Sequence, residues 1–112
     1  MNKREILHEL LQSGRDKNHT PAAFFAHFGK EFISGQSAIS KHSEFFHYTD
    51  MDMVKIQYEH AFPKVDFIHS AKDWAEMPIY GLDFYREPLE ITEGLIKLLS
   101  TEACVIQTIY SP

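Results

Sequence analysis

Helix-type and strand-type patterns alternate along this chain of 112 residues, and the alternation limits its fold more than any other feature. The helical patterns cover residues 2–13, 36–48 and 88–100, and the strand patterns cover 22–28, 53–59 and 103–110. Helices that alternate with strands build a parallel sheet covered by helices. The sequence therefore predicts an α/β fold with helical crossovers between parallel strands.

Three strands are too few to close a parallel barrel, which needs eight. Residues 22–28 and 103–110 are apolar runs of the kind that a sheet buries on both faces. We therefore expect either a small open sheet or the front part of something larger. In the long connection before the third helix, Ser70 and Asp73 are spaced as a capping box over a short turn near Trp74.

Composition excludes several classes of protein. The 16 acidic against 11 basic residues give a net charge of −5, which disfavours a nucleic-acid partner. The single cysteine, Cys104, excludes an internal disulfide framework and a four-cysteine zinc site. No apolar run approaches the ~18 residues of a membrane span, and the first residues do not form a signal peptide. We expect a cytoplasmic protein with neither a nucleic-acid nor a membrane partner.

Four segments, in order and spacing, are similar to one enzyme family. They are residues 2–11, 25–30 (Phe-Ala-His-Phe-Gly-Lys), 52–59 (Asp-Met-Val-Lys-Ile-Gln-Tyr-Glu) and 105–112 (Val-Ile-Gln-Thr-Ile-Tyr-Ser-Pro). In these segments the chain resembles the amino-terminal part of the uroporphyrinogen decarboxylase superfamily, which includes methylcobamide:coenzyme M methyltransferases. The resemblance covers nearly the whole chain but only about the first third of a family member.

The resemblance implies a (β/α)8 TIM barrel, of which residues 1–112 would be a single segment holding the first three βα units. It also implies that the whole enzyme is a lyase of the kind found in porphyrin biosynthesis. Such an enzyme would decarboxylate a porphyrinogen-like or small carboxylated substrate without a cofactor. The enzymatic alternative is corrinoid-dependent methyl transfer, which would add zinc and a corrinoid. The residues themselves leave a third alternative, a stand-alone small α/β binding module without catalysis.

Three functional positions of the family match residues of this chain, but the residue type differs at each of them. Two arginines that bind substrate carboxylates match Ala26 and Lys30, and the aspartate that ends the second strand matches Glu59. An ammonium cannot bind a carboxylate in the bidentate manner of a guanidinium. The resemblance therefore implies that Glu59 binds the NH-bearing or positively charged portion of the substrate, and the changes put uroporphyrinogen itself in doubt.

Active sites of parallel barrels lie at the carboxyl ends of the strands, so the polar residues there should lie close together. These residues are His27, Lys30, Glu59, His60, Tyr110 and Ser111. We expect Glu59 to be catalytic, and His27, Lys30, His60 and Tyr110 to bind a small-molecule substrate of the tetrapyrrole or corrinoid class. The structural alternatives are a solvated carboxylate, an ion pair between Glu59 and Lys30, and two histidines at the rim.

Two further expectations concern metal binding and the behaviour of the isolated segment. His27, Glu59 and His60 would be a two-histidine, one-carboxylate set, but no ligand-spacing motif supports it, so we expect no metal site. The isolated 112-residue segment should be inactive. It should also self-associate through exposed sheet edges, since residues 104–110 are uncharged and β-prone.

Overall fold

The computed structural model describes residues 1–14 and 18–108. Its helices are α1 (Lys3–Ser13), α2 (Gly35–Thr49) and α3 (Arg86–Leu99), and its strands are β1 (Met53–Ile56) and β2 (Cys104–Gln107). Short 3-10 turns cover Lys30–Phe32, Ala71–Glu76 and Leu82–Tyr85. The three predicted helices and the α/β class are confirmed. Within the described residues, no helix has the length and apolar character needed to cross a membrane.

The two strands are parallel and adjacent, with Met53 opposite Cys104 and Ile56 opposite Gln107. The connection between them includes α3, and α2 packs beside α3. The core between helices and sheet is formed by Ala38, Phe46, Met51, Val54, Ile56, Ile91, Leu95, Leu99 and Ala103. In β1 the buried Val54 and Ile56 alternate with half-buried residues, the period-2 pattern of a strand.

The predicted strand at residues 22–28 is wrong. This stretch forms no strand, so the predicted crossover from it to residues 53–59 is also absent, and the parallel crossover instead joins β1 to β2. The physical reason is that two of its apolar side chains are not covered by other elements: Phe24 and Phe25 remain 51% and 61% exposed. A central parallel strand needs cover on both faces, which these two side chains lack.

Residues 19–29 nevertheless lie along β1 and are held mainly by side chains. We call this stretch the strap. At one end the backbone N–H of Asp52 donates to the carbonyl of Ala22 at 2.8 Å. Further along, the Lys55 ammonium lies 4.1 Å from the centre of the Phe25 ring. The strap therefore follows β1 in the same direction without a continuous backbone ladder.

Both strands are shorter than the segments that were predicted to form them. β1 ends at Ile56, three residues before the predicted end at Glu59. β2 is described from Cys104 to Gln107, and the rest of the predicted strand after Thr108 lies outside the described residues. α3 begins at Arg86, two residues before Pro88. Proline is tolerated there because the first four N–H groups of a helix have no partner within it.

The long connection before α3 is organised by local hydrogen bonds and by aromatic contacts. The predicted capping box forms: the carboxylate of Asp73 accepts hydrogen bonds from the backbone N–H groups of His69 and Ser70, at 2.8 and 2.6 Å. Backbone hydrogen bonds to this carboxylate hold the pKa of Asp73 below its usual value. Trp74, in the same turn, is 58% exposed and is not part of the core.

Candidate functional site

The four residues that follow β1 place polar side chains at the carboxyl end of the sheet. They are Gln57, Tyr58, Glu59 and His60. Gln57 is 8% exposed, and the other three are half-buried. Because β1 and β2 are parallel, this is the edge at which α/β proteins bind ligands.

Glu59 and His27 contact each other across this edge. His27 Nδ1 lies 2.6 Å from Glu59 Oε1, the distance of a short hydrogen bond in which the ring N–H donates to the carboxylate. The side chain of His27 is 72% exposed and that of Glu59 is 25% exposed. The strap thus brings its histidine to the carboxylate that was predicted to be catalytic, although the strap is not a strand.

A small cavity of about 30 Å³ lies beside this pair. Its lining consists of Ile33, Gln57, Tyr58, Glu59, His60, Glu87, Pro88 and Ile91. Glu87 is in the first turn of α3, so the cavity lies between the end of β1 and the start of that helix. Two acidic residues, Glu59 and the exposed Glu87, therefore border one small space.

His60 lines this cavity from the side of the long connection. The centre of its ring lies 4.3 Å from that of Phe84, which stacks in turn on Tyr80 at 4.2 Å and on Phe62 at 5.3 Å. These contacts restrict the orientation of the imidazole. Aromatic packing of the long connection therefore fixes a polar ring in the lining that His60 shares with Glu59.

Gln57 is held through its backbone by a buried histidine on α2. The N–H of Gln57 donates to His42 Nε2 at 2.9 Å, and His42 Nδ1 donates to the carbonyl of Ala38 at 2.7 Å. One ring nitrogen must therefore carry the proton and the other must be free, so this imidazole is neutral. Burial lowers the pKa of His42, partly opposed by the Ala38 carbonyl and by the charge of Glu59.

Tyr58 lines both the small cavity and a second, apolar groove of about 250 Å³. The groove is bordered by Tyr58, Leu82, Tyr85, Pro88, Leu89, Thr92, Gln107 and Thr108. Burial and the neighbouring Tyr85 raise the pKa of Tyr58, so its phenol remains protonated. The groove lies at the end of β2, where Thr92 Oγ1 donates to Gln107 Oε1 at 2.7 Å.

The other predicted site residues are placed differently. Lys30 begins a 3-10 turn, is exposed and forms no salt bridge with any described residue, so the alternative ion pair with Glu59 is not present. Tyr110 and Ser111 lie outside the described residues. No group of three histidine, cysteine or acidic side chains in residues 1–14 and 18–108 is arranged to bind a metal ion.

Sequence reasoning did not predict Gln57, Tyr58 or Glu87 as residues of the site. Gln57 is in the predicted strand at 53–59, two residues before Glu59, so both could have been placed on one face. Glu87 precedes a proline at the start of α3, and no local pattern connects it with the end of β1. Only the packing of α3 against the sheet brings it to the cavity.

No family model, curated protein or solved structure matches the chain. What the site can bind follows from its residues and their geometry.

Proposed function

We propose that this chain is the amino-terminal part of a uroporphyrinogen-decarboxylase-like (β/α)8 barrel, which decarboxylates a small carboxylated substrate bearing an N–H or cationic group. The observation that carries the proposal is the position of Glu59. Its carboxylate is at the carboxyl end of a parallel strand, is one-quarter exposed and is in contact with His27. A fixed carboxylate of this kind binds N–H donors and stabilises positive charge.

The shape of the chain supports its being part of a larger barrel. The radius of gyration is 17.4 Å, whereas a self-contained domain of this length has about 13 Å. β2 pairs only with β1 among the described residues, and the apolar groove at its end is open. In a (β/α)8 barrel the next strand would pair with β2, and further βα units would cover this groove.

The chemistry assigns separate roles to Glu59 and His27. When the bond to the carboxylate carbon breaks, CO2 leaves and the electron pair remains on the substrate carbon, in conjugation with the protonated nitrogen. Glu59 stabilises that nitrogen's positive charge and fixes its orientation. When both ring nitrogens of His27 carry a proton, Nε2 can deliver the proton that replaces CO2 on the carbon and take another from water, because the side chain is 72% exposed.

The substrate is not expected to be uroporphyrinogen. Ala26 stands at one arginine position of the resemblance, and Lys30 at the other, where it forms no salt bridge with a described residue. Each charge-assisted hydrogen bond that is lost removes about 1.5–3 kcal/mol of binding. The full-length protein should therefore turn over uroporphyrinogen poorly, and acids with fewer carboxylates better.

The test is CO2 release by the full-length protein from a panel of pyrrole- and amine-bearing carboxylic acids. Glu59→Gln should lower turnover of the best acid by about 100-fold, since the charge is lost while the shape is kept. The thermal midpoint should change little, because a partly exposed strand-end acid contributes little packing. Glu44→Gln, at an exposed position of α2, is the matched control.

Two results would contradict this function. Unchanged turnover in Glu59→Gln would remove this carboxylate from the site. A large fall in the thermal midpoint, in parallel with the loss of turnover, would make Glu59 a structural residue instead.

A further inference from the structure

Two residues that line the small cavity each have a buried side-chain nitrogen without a hydrogen-bond partner among the described residues. These nitrogens are Nε2 of Gln57 and Nε2 of His60. A buried polar group without a partner is costly and therefore uncommon in a native protein. Both atoms belong to residues that line one cavity together with Glu59, which points to a ligand group that supplies both missing partners.

The chemistry of the missing partner follows from Gln57. The residue is more than nine-tenths buried, and its amide nitrogen is a donor only, so the partner must be an acceptor. An ionised acceptor would lie near the acidic residues Glu59 and Glu87, which border the same space. Like charges this close repel, so an anion is disfavoured. A neutral oxygen satisfies both conditions.

His60 fits the same partner. Its ring is packed against Phe84, with 4.3 Å between the ring centres, so Nε2 is held in place. In one neutral tautomer Nε2 donates a hydrogen bond, and in the other it accepts one. A carbonyl oxygen can accept from both Gln57 and His60, and a hydroxyl can accept from one and donate to the other.

We propose that Gln57 and His60 form a second binding position of this site, which takes one neutral carbonyl or hydroxyl oxygen of the substrate beside Glu59. The proposal rests on the proposed function in taking Glu59 as the substrate-binding carboxylate. It adds to the substrate class: the compound carries an uncharged oxygen near its N–H or cationic group. A cavity of about 30 Å³ has room for one such oxygen.

The test compares two probes of the same heavy-atom size, formamide and formate, by NMR of the protein labelled with ¹⁵N only at glutamine. The side-chain amide of Gln57 is assigned by its loss in Gln57→Met. The shift of this signal should reach a plateau as formamide is added. The cross-peaks between this signal and water should disappear, which distinguishes a bound formamide oxygen from a water molecule at the same position. Formate should bind at least about tenfold more weakly.

Gln107 is the matched internal control. Its side-chain amide already donates to the carbonyl of Thr108 at 2.8 Å, and its oxygen accepts from Thr92. Its signal should not move with either probe. In His60→Phe, which keeps the stacking on Phe84 but removes both ring nitrogens, the affinity for formamide should fall by about tenfold, equivalent to the loss of one hydrogen bond.

Three outcomes would overturn the proposal: no response of Gln57 to formamide, equal or tighter binding of formate, or an unchanged affinity in His60→Phe. These outcomes are independent of turnover. If Glu59→Gln keeps full activity while formamide still shifts Gln57, the proposed decarboxylation fails and the binding position stands. If Glu59→Gln loses activity and Gln57 does not respond, the binding position alone is wrong.

Discussion

Ala22 and Asp52 bind each other in both directions. The N–H of Asp52 donates to the carbonyl of Ala22 at 2.8 Å, and the N–H of Ala22 donates to Asp52 Oδ2 at 2.7 Å. The other carboxylate oxygen of Asp52 lies 2.7 Å from His19 Nε2. One largely buried carboxylate thus anchors the start of the strap next to β1, as Glu59 does near its far end.

Loss of the Asp52 carboxylate should release the strap. In Asp52→Ala the N–H of Ala22 and the ring of His19 both lose their acceptor, so we expect the free energy of unfolding to fall by about 1–3 kcal/mol. Urea unfolding measures this. Glu44→Ala, which breaks an exposed ion pair with Lys41, is the control and should cost less than about 1 kcal/mol. Equal effects in the two variants would show that Asp52 does not anchor the strap.

The stability of the chain should decrease in mild acid through His42. Burial lowers its folded-state pKa below the ordinary 6.5, so the unfolded chain binds more protons in this range. The contribution of His42 to the free energy of unfolding is therefore fully present above pH 6.5 and is lost as the pH falls through the folded-state pKa. Protonation also removes the acceptor of the Gln57 N–H.

Urea unfolding between about pH 5 and pH 8 checks the contribution of His42. His42→Phe should be less stable at neutral pH and should lose part of the dependence on pH. His8→Gln, at an exposed position of α1, is the control and should keep the wild-type dependence. An unchanged dependence in His42→Phe would assign the effect to other groups.

Gly94 permits the close approach of α3 to α2. A Cβ added there would lie 2.3 Å from Ile39 Cδ1. Alanine improves helix propensity by about 1 kcal/mol, but overpacking costs about 1–3 kcal/mol, so Gly94→Ala should be destabilising on balance. Adding Ile39→Val removes Cδ1 but keeps Cγ1, which would lie 3.0 Å from the new Cβ, so it should restore part of the lost stability. Gly81→Ala, with nothing within 4 Å, is the control for urea unfolding. A gain of stability in Gly94→Ala alone would contradict the steric argument.

The isolated 112-residue chain should self-associate through β2. The strand pairs with β1 only, within the described residues, and Ile106 is 39% exposed. An apolar edge strand is a template for pairing with a second chain. Size-exclusion chromatography with light scattering should show species larger than a monomer, and Ile106→Lys should reduce them. A monodisperse wild-type monomer with a sharp unfolding transition would instead favour the small binding module.

Local sequence patterns predicted the positions of the helices and strands better than they predicted which segments pair in the sheet. Helical spacing predicted all three helices, and alternation at Val54 and Ile56 predicted β1, because both patterns report which side chains a nearby surface will cover. The apolar run at residues 22–28 has strand composition, yet it lies beside β1 as the strap. A strand requires backbone partners, and a single segment's composition does not contain them.

The sequence by itself determined the α/β class, the three helices and the two strands, and the order of polar residues at the end of β1. The sequence also predicted that His27 and His60 lie near Glu59, although it placed His27 in a strand at residues 22–28 that does not form. Tertiary structure alone decided that the strap holds His27 against Glu59 through side chains, and that Glu87 shares a cavity with Gln57. The physical reason is distance along the chain. The periodicity of a segment indicates which of its side chains will be buried. Contacts between residues tens of positions apart form only when the helices and the strap pack on the sheet.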